Sequence, residues 1–190
     1  VLDLSRCELN AAALHELASP ADAWANSSIQ TLLLDGNPLT TGDFGTATAL
    51  TSLHDDRPVA TLQAQTDHED CSGTAALFGA LSHPGTRVTE LDLSYCGLGA
   101  RSADAMAEAL HGAGIQQNLR TLRLTGNHLG GIVIDELSDG TLWWVAPPPS
   151  SADVPGSLAN VKLALSQTHI TDLDLANCGL GPLNIKSIAQ

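Results

Sequence analysis

The sequence predicts an α/β solenoid, with short parallel strands lining a concave face and helices lining a convex face. Three observations lead to this prediction. The pattern Leu-x-Leu-x-x-(Cys or Asn)-x-Leu recurs five times in the 190 residues, and apolar residues with helical spacing follow several of its copies. Hydrophobic residues make up 43% of the chain while aromatic residues make up 3%, so the predicted core is aliphatic.

The recurring pattern has a direct physical explanation. Because side chains alternate along a strand, the two leucines of Leu-x-Leu point to the same side. The Cys or Asn that follows turns inward at the bend, where Asn can hydrogen-bond the backbone of neighbouring turns and Cys fills the space as a small apolar residue. A single copy cannot bury its leucines, so the copies must stack into a parallel sheet. The five copies occupy residues 2–9, 32–39, 91–98, 122–129 and 173–180.

Helices are predicted between the strands. Ser102 is a plausible N-cap and Gly112 a stop signal. Between them, apolar residues recur at positions i, i+3, i+4 and i+7, at Ala103, Met106, Ala107 and Leu110. Leucine pairs with similar spacing occur in two other repeats, at Leu77 and Leu81 before Pro84-Gly85, and at Leu14 and Leu17 after Asn10.

The first long gap between copies leaves two interpretations open. The segment around Leu62 aligns with the segment around Leu91 at an offset of 29 residues, with Asp67 in place of the Cys. This alignment favours a degenerate repeat with a weakened turn. The alternative is an insertion about one repeat long, which the direct succession of an Asn-type repeat by a Cys-type repeat elsewhere supports.

The second long gap contains Leu142 to Val145 followed by three prolines. It reads either as an atypical strand followed by a loop, which we favour, or as a Pro-rich loop outside the solenoid. The sequence thus predicts one domain over residues 1–190, with repeats starting near 2, 32, 62, 91, 122, 142 and 173. The chain begins inside a motif strand and ends soon after the last motif, and neither end has a polar capping unit, which predicts that the chain is a fragment of a longer array.

The alternation of Cys-type and Asn-type copies resembles the ribonuclease-inhibitor-like subfamily of leucine-rich repeat proteins. The resemblance implies a horseshoe and a protein-binding function, because members include nuclease inhibitors, immune-receptor repeat regions, activators of a nuclear-transport GTPase and structural subunits of large assemblies. We therefore expect a protein–protein interaction scaffold or structural subunit of a multi-subunit complex that binds through its concave face, not an enzyme. The alternative is an enzyme regulator, an inhibitor or a GTPase activator, that acts through the same face.

The candidate binding residues flank the inward leucines on the predicted concave face. Six are acidic and one is basic: Asp3, Asp35, Glu90, Asp92, Asp172 and Asp174, and Arg123. The remaining predicted outward positions are Ser5, Thr31, Leu33, Thr61, Gln63, Gln65, Ser94, Thr121, Thr125 and Ala176. Stacking these positions predicts a negative strip that suits a basic partner. The other interpretation is a solvated face, because Asp between the two leucines is common in repeats of this type.

Aromatic residues add two candidates. Tyr95 falls at the turn on the concave rim. Trp143 and Trp144 are adjacent, so in a strand one would face the core and the other the solvent, where it could anchor a partner. The alternative is that both tryptophans pack under the following loop.

Charge and composition narrow the range of functions. The formal net charge of −13 argues against nucleic acid and against direct binding to an anionic membrane. No cofactor motif is present, and the run from His68 to Cys71 is interpreted as an acidic loop rather than a metal site. Cys7, Cys96 and Cys178 share one motif position, which predicts buried free thiols and an intracellular, cytoplasmic protein.

Overall fold

The computed structural model describes residues 1–40, 69–127, 129, 133–136, 142–145 and 161–180, with only the backbone of 133–136 and 142–145. Its strands are β1 (Leu2–Asp3), β2 (Thr31–Leu33), β3 (Glu90–Asp92), β4 (Thr121–Arg123), β5 (Val133–Glu136), β6 (Leu142–Val145) and β7 (Asp172–Asp174). Its helices are α1 (Ala11–Ala18), α2 (Ala21–Ala25), α3 (Ser72–Leu81), α4 (Ala100–Ala109) and α5 (Ala113–Asn118), with a further helical turn over 161–165.

Five strands form one parallel sheet in the order β1-β2-β3-β4-β7. Their register aligns the first motif leucine of β2 with that of β3 and, onward, with that of β4, at Leu32, Leu91 and Leu122. Leu2 and Leu173 continue this row at the two edges. The stacking that the recurring pattern predicts is therefore confirmed.

The hydrophobic core lies between this sheet and the helices. Motif leucines such as Leu32, Leu91 and Leu122 are fully buried and belong to one cluster with leucines from the helices. Helices α1, α3 and α4 pack side by side in that order. Gly73 permits the close approach of α3 to α1, because a Cβ atom there would collide with the backbone of Ala11. The leucines and small residues thus produce a tightly packed aliphatic interior.

Two helix boundaries differ from the sequence-based expectation. Helix α4 begins at Ala100 with Gly99 as its N-cap, so Ser102 lies inside the helix and its prediction as N-cap is wrong. Gly112 is the N-cap of α5 rather than only a stop for α4. The predicted apolar face of α4 is confirmed, because all four of its residues are buried. Asn10 caps α1 through a 2.9 Å hydrogen bond from the Ala13 N–H to its side chain.

The first long gap does not place a strand between β2 and β3. Thr31 is the register partner of Glu90, so the two strands are hydrogen-bonded neighbours. This direct pairing favours the insertion over the degenerate repeat. The segment around Leu62 itself lies outside the described residues, as do Thr61, Gln63 and Gln65.

The second long gap contains the favoured strand, but its partner is unexpected. Residues 142–145 form β6, which pairs antiparallel with β5 in a separate two-stranded sheet. Strand β4 pairs directly with β7. The assignment of a repeat near 142 is therefore wrong for the repeat sheet. The prolines at 147–149 lie outside the described residues.

The Asn-type turns are tied to the preceding turn by side-chain hydrogen bonds. Asn37 and Asn127 are fully buried. Each accepts two backbone N–H groups from the preceding turn and donates to one carbonyl of that turn and to one of its own. The bonds of Asn127 involve Cys96 N, Leu98 N, Leu93 O and Leu124 O, at 2.8–3.1 Å. Those of Asn37 involve Cys7 N, Leu9 N, Leu4 O and Leu34 O, at 2.8–3.0 Å.

The Cys-type turns use the same position with fewer bonds. The Cys96 thiol donates to Leu34 O at 3.2 Å, and the Cys178 thiol donates to Leu124 O at 2.9 Å. All four cysteines are unpaired. Cys96 and Cys178 are buried as predicted, but Cys7 is exposed because β1 is an edge strand of the sheet.

Candidate protein-binding face

The sheet exposes a face opposite the helices, which we call the outer sheet face. Along β2, β3 and β4 the central leucine is buried and both flanking residues are partly exposed, as expected for a sheet covered on one side. The outer sheet face consists of the alternate, outward residues Asp3, Ser5, Thr31, Leu33, Asp35, Glu90, Asp92, Ser94, Thr121, Arg123, Thr125, Asp172, Asp174 and Ala176. Six acids and one base give it a formal charge of −5.

The central row of this face concentrates the charge. Leu33, Asp92, Arg123 and Asp174 are successive register partners, and Asp3 precedes them as the partner of Leu33. Neighbouring strands in a sheet lie about 4.8 Å apart. No two acids of this row are direct register partners, because Leu33 and Arg123 separate the three aspartates. The excess of acids over bases on the face as a whole raises its attraction for a cation.

Three of the acids have a structural role in their turns. Asp3, Asp92 and Asp174 each accept the backbone N–H of the residue two positions later, at 2.9–3.0 Å. Such Asx turns shape the bend after each Cys-type strand. The backbone hydrogen bond lowers the pKa of Asp3 and of Asp174 below the usual range of the carboxyl. All three carboxylates are therefore oriented by their turns, and their presence alone does not require a partner.

The other three acids lie outside these turns. Asp35 pairs with the Arg6 side chain, with 3.7 Å between Nε and Oδ2. Asp172 is exposed and accepts the Thr171 hydroxyl at 2.8 Å. Glu90 accepts the Thr31 hydroxyl at 3.4 Å through Oε2. No backbone turn accounts for an acid at these positions, so they carry the stronger indication of binding.

Arg123 lies among the acids of the central row. Its Nη1 donates to Glu90 Oε1 and lies 3.8 Å from Asp92 Oδ2. The hydrogen bond to Glu90, with the nearby charges of Asp92 and Asp174, raises the pKa of Arg123. The Arg123 side chain is 40% exposed, compared with 31% for Glu90 and 17% for Asp92. Charge compensation is thus concentrated between β3 and β4.

A rim of left-handed residues borders the face where the strands end. Arg6, Gly36, Tyr95, Gly126 and Asn177 all have φ between 53° and 72°. The Tyr95 ring packs over Gly126, where a Cβ atom would collide with it, and Tyr95 remains 41% exposed. Glycine at 126 therefore serves both the backbone conformation and the ring.

The predicted site residues separate into two groups. The structure brings Asp3, Asp35, Glu90, Asp92, Arg123, Asp172 and Asp174 to the outer sheet face and Tyr95 to its rim. Trp143 lies instead in β6 of the separate hairpin, opposite Asp135. It is not part of the five-stranded sheet, and its side chain lies outside what the structure describes.

Glu69 has a structural role that its sequence context did not reveal. The side chain is buried and accepts the backbone N–H groups of Gly99, Arg101 and Ser102 as well as the Ser102 hydroxyl. It therefore caps the start of α4 from outside that helix, which the local sequence of α4 cannot indicate. Within the described ranges, no three His, Cys, Asp or Glu side chains are grouped to hold a metal ion.

Comparison with known families agrees with this architecture. A model described as Leucine Rich Repeat matches residues 118–139, and a second, described as Leucine Rich repeat, matches residues 86–107 and 166–189. These segments contain β3, β4 and β7. No curated protein matches the chain. Among the helices that the structure describes, none is long and apolar enough to cross a membrane. The matches and the parallel sheet together identify an α/β leucine-rich repeat solenoid.

Proposed function

We propose that this leucine-rich repeat solenoid, of the ribonuclease-inhibitor-like type, is an intracellular scaffold that binds a basic segment of a protein partner on its outer sheet face. Leucine-rich repeat domains are generally protein-interaction modules. The observation that carries the proposal is the formal charge of −5 on one regular face. Four unpaired cysteines support a reducing compartment, and assembly into a larger complex accords with a non-catalytic interaction module.

Exposed acids lie at both edges of the face, one on β1 (Asp3) and two together on β7 (Asp172 and Asp174). Asp172 and Asp174 are exposed, whereas Asp92 is mostly covered and lies near Arg123. A Lys or Arg of a partner can therefore approach Asp172 and Asp174 without first displacing a cation of the described residues. Electrostatic attraction of this kind speeds association and selects for basic partners. We expect the exposed rim residue Tyr95 to contribute its ring to the same interface.

The proposal is tested with a fluorescein-labelled nona-arginine peptide and fluorescence anisotropy at low ionic strength. The double variant D172N/D174N removes two exposed charges from the β7 side of the face, while Asn retains a side-chain acceptor at each position. The matched control D104N/E108Q removes two charges from exposed positions on α4. We expect the face variant to weaken binding about tenfold and the control less than about threefold, with the difference shrinking as salt is added.

The control decides between a specific face and a general charge effect. An equal loss of affinity in both double variants would show that the peptide responds only to the net charge of the chain. Unchanged affinity in D172N/D174N would exclude the exposed acids on the β7 side of the outer sheet face as the binding surface. Either result would overturn the proposal.

A further inference from the structure

We infer that Arg123 is an internal counter-cation that competes with a basic partner for the carboxylates of Glu90 and Asp92, and so sets the affinity and selectivity of the outer sheet face. This inference rests on the proposed function, because it concerns how that face is regulated by its own residue. It assigns to Arg123 a role opposite to that of a contact residue. Arg123 weakens the binding of basic segments rather than supporting it.

The position of Arg123 supports this role. It is the one cation among the described residues of the outer sheet face. Register places it between Asp92 on β3 and Asp174 on β7. Its guanidinium turns toward β3, where it bonds Glu90 and lies near Asp92, and not toward β7. The position that an incoming arginine would take at β3 is therefore already filled by an arginine of the chain.

The ion pair is placed to exchange partners rather than to stabilise the fold. Partly exposed salt bridges contribute little to folding stability, because water and salt screen the charges. The Arg123 side chain is 40% exposed and the Glu90 side chain 31%, so both can reach solvent and exchange partners. A guanidinium that leaves Glu90 can be replaced by another guanidinium with little change in bonding. These features suit a replaceable counter-cation better than a structural lock.

The ion pair also divides the face into two parts. On the β7 side, Asp172 and Asp174 are exposed, and no ion pair to either is present within the described residues. On the β3 side, Glu90 and Asp92 share the charge of Arg123. A partner with few basic residues can pair all of them with the acids of β7. A partner with a longer basic segment must displace Arg123 to use β3 as well, and this cost reduces the advantage of longer basic segments over shorter ones.

The test compares R123Q with K162Q, which makes the same change in net charge in the helical turn over 161–165. With the nona-arginine peptide at low ionic strength, we expect R123Q to raise affinity about fivefold and K162Q less than about twofold. R123K keeps the charge and should remain within about twofold of the original chain. Thermal melting followed by circular dichroism establishes that each variant is folded.

A double-variant cycle identifies the carboxylate that Arg123 occupies. If Arg123 acts by masking Glu90, the gain from R123Q should fall to about twofold in an E90Q background. Equal gains for R123Q and K162Q, or a loss of affinity in R123Q, would overturn the inference. These results leave the proposed function standing as long as D172N/D174N still weakens binding more than D104N/E108Q. If that difference is absent, the proposed function fails, whatever R123Q does.

Discussion

The Asn-type and Cys-type turns occupy the same place in the repeat but join neighbouring turns with different strength. Asn37 and Asn127 each make three hydrogen bonds to the preceding turn. Cys96 and Cys178 each make one, through a thiol that is a weak donor. The residue at the motif position therefore joins β1–β2 and β3–β4 more strongly than it joins β2–β3 and β4–β7. At β2–β3 two other bonds add to the thiol, from Thr40 Oγ1 to Gly97 O at 2.6 Å and from Leu39 N to Cys96 O at 3.2 Å.

The positions of the long connections follow this difference. The chain takes its two long excursions between β2 and β3 and between β4 and β7, which are the two junctions with a cysteine. A long connection at such a junction leaves the hydrogen bonds of the buried asparagines intact. The two asparagines thus each join a pair of turns that are close in sequence.

The largest effect is expected from N127A. The substitution removes the partner of two backbone N–H groups and two carbonyls in the buried interior. At about 1 kcal/mol for each group, the free energy of unfolding should fall by about 4 kcal/mol in urea titration. N37A should cost about half as much, because its partners Cys7 and Leu9 lie near water at the β1 edge. A cost for N127A no greater than for C96A would contradict the distinction between the two junctions.

A smaller loss of folding stability is expected at the cysteine junction β2–β3 when the pH is raised. Burial raises the pKa of the Cys96 thiol to about 12, whereas a cysteine thiol in the unfolded chain has a pKa of about 8.5. Above that lower value the unfolded chain loses a proton that the folded chain keeps. Stability is therefore full below about pH 8.5 and declines as pH rises toward the folded pKa. The urea midpoint should fall more between pH 8 and pH 10.5 in the original chain than in C96A.

The comparison with C96A isolates the thiol, because all other titrating groups are common to both proteins. C96A itself should cost about 1–2 kcal/mol at pH 8, mainly through the lost packing of the side chain. Parallel declines of the two urea midpoints with pH would show that Cys96 does not contribute to alkaline destabilisation. The side chains of Asn37 and Asn127 do not titrate and so provide no such dependence.

The smallest effect is a difference in thiol reactivity, and it concerns the cysteine at the β1 edge. Cys7 shares the motif position of Cys96 but is exposed. In the folded protein, iodoacetamide should modify Cys7 rapidly and Cys96 and Cys178 only through opening of the structure. Mass spectrometry of proteolytic fragments measures each rate, and the unfolded, non-reduced chain should titrate as four thiols. Similar rates at Cys7 and Cys96 would show that the neighbouring turn does not protect the motif cysteine.

Much of the fold was predictable from the sequence because it depends on short-range periodicity. The spacing of Leu91 and Leu93 indicates a strand with one buried side, and the recurrence of the pattern indicates parallel stacking. The apolar residues of α4 follow helical spacing, and they are buried as predicted. The acids of the outer sheet face could also be identified, since alternation along a strand determines which residues point outward.

Other features depended on contacts between residues distant in sequence. Glu69 caps α4 from about thirty residues earlier, so the start of that helix was placed too late at Ser102. The strand at 142–145 was expected in the repeat sheet, but it pairs with β5. Periodicity identifies a strand, but it does not identify the neighbour to which the strand bonds.

The sequence by itself determined the solenoid, the inward leucines and the sign of the charge on the outer sheet face, because each follows from the order of residues within one turn. The tertiary structure decided which turns are neighbours and that Arg123 bonds Glu90 rather than the acids of β7. It also decided that Cys7 is exposed where Cys96 is buried. Neighbours, ion-pair choice and burial arise from distances across the stack, and these are established only when the turns have packed against one another.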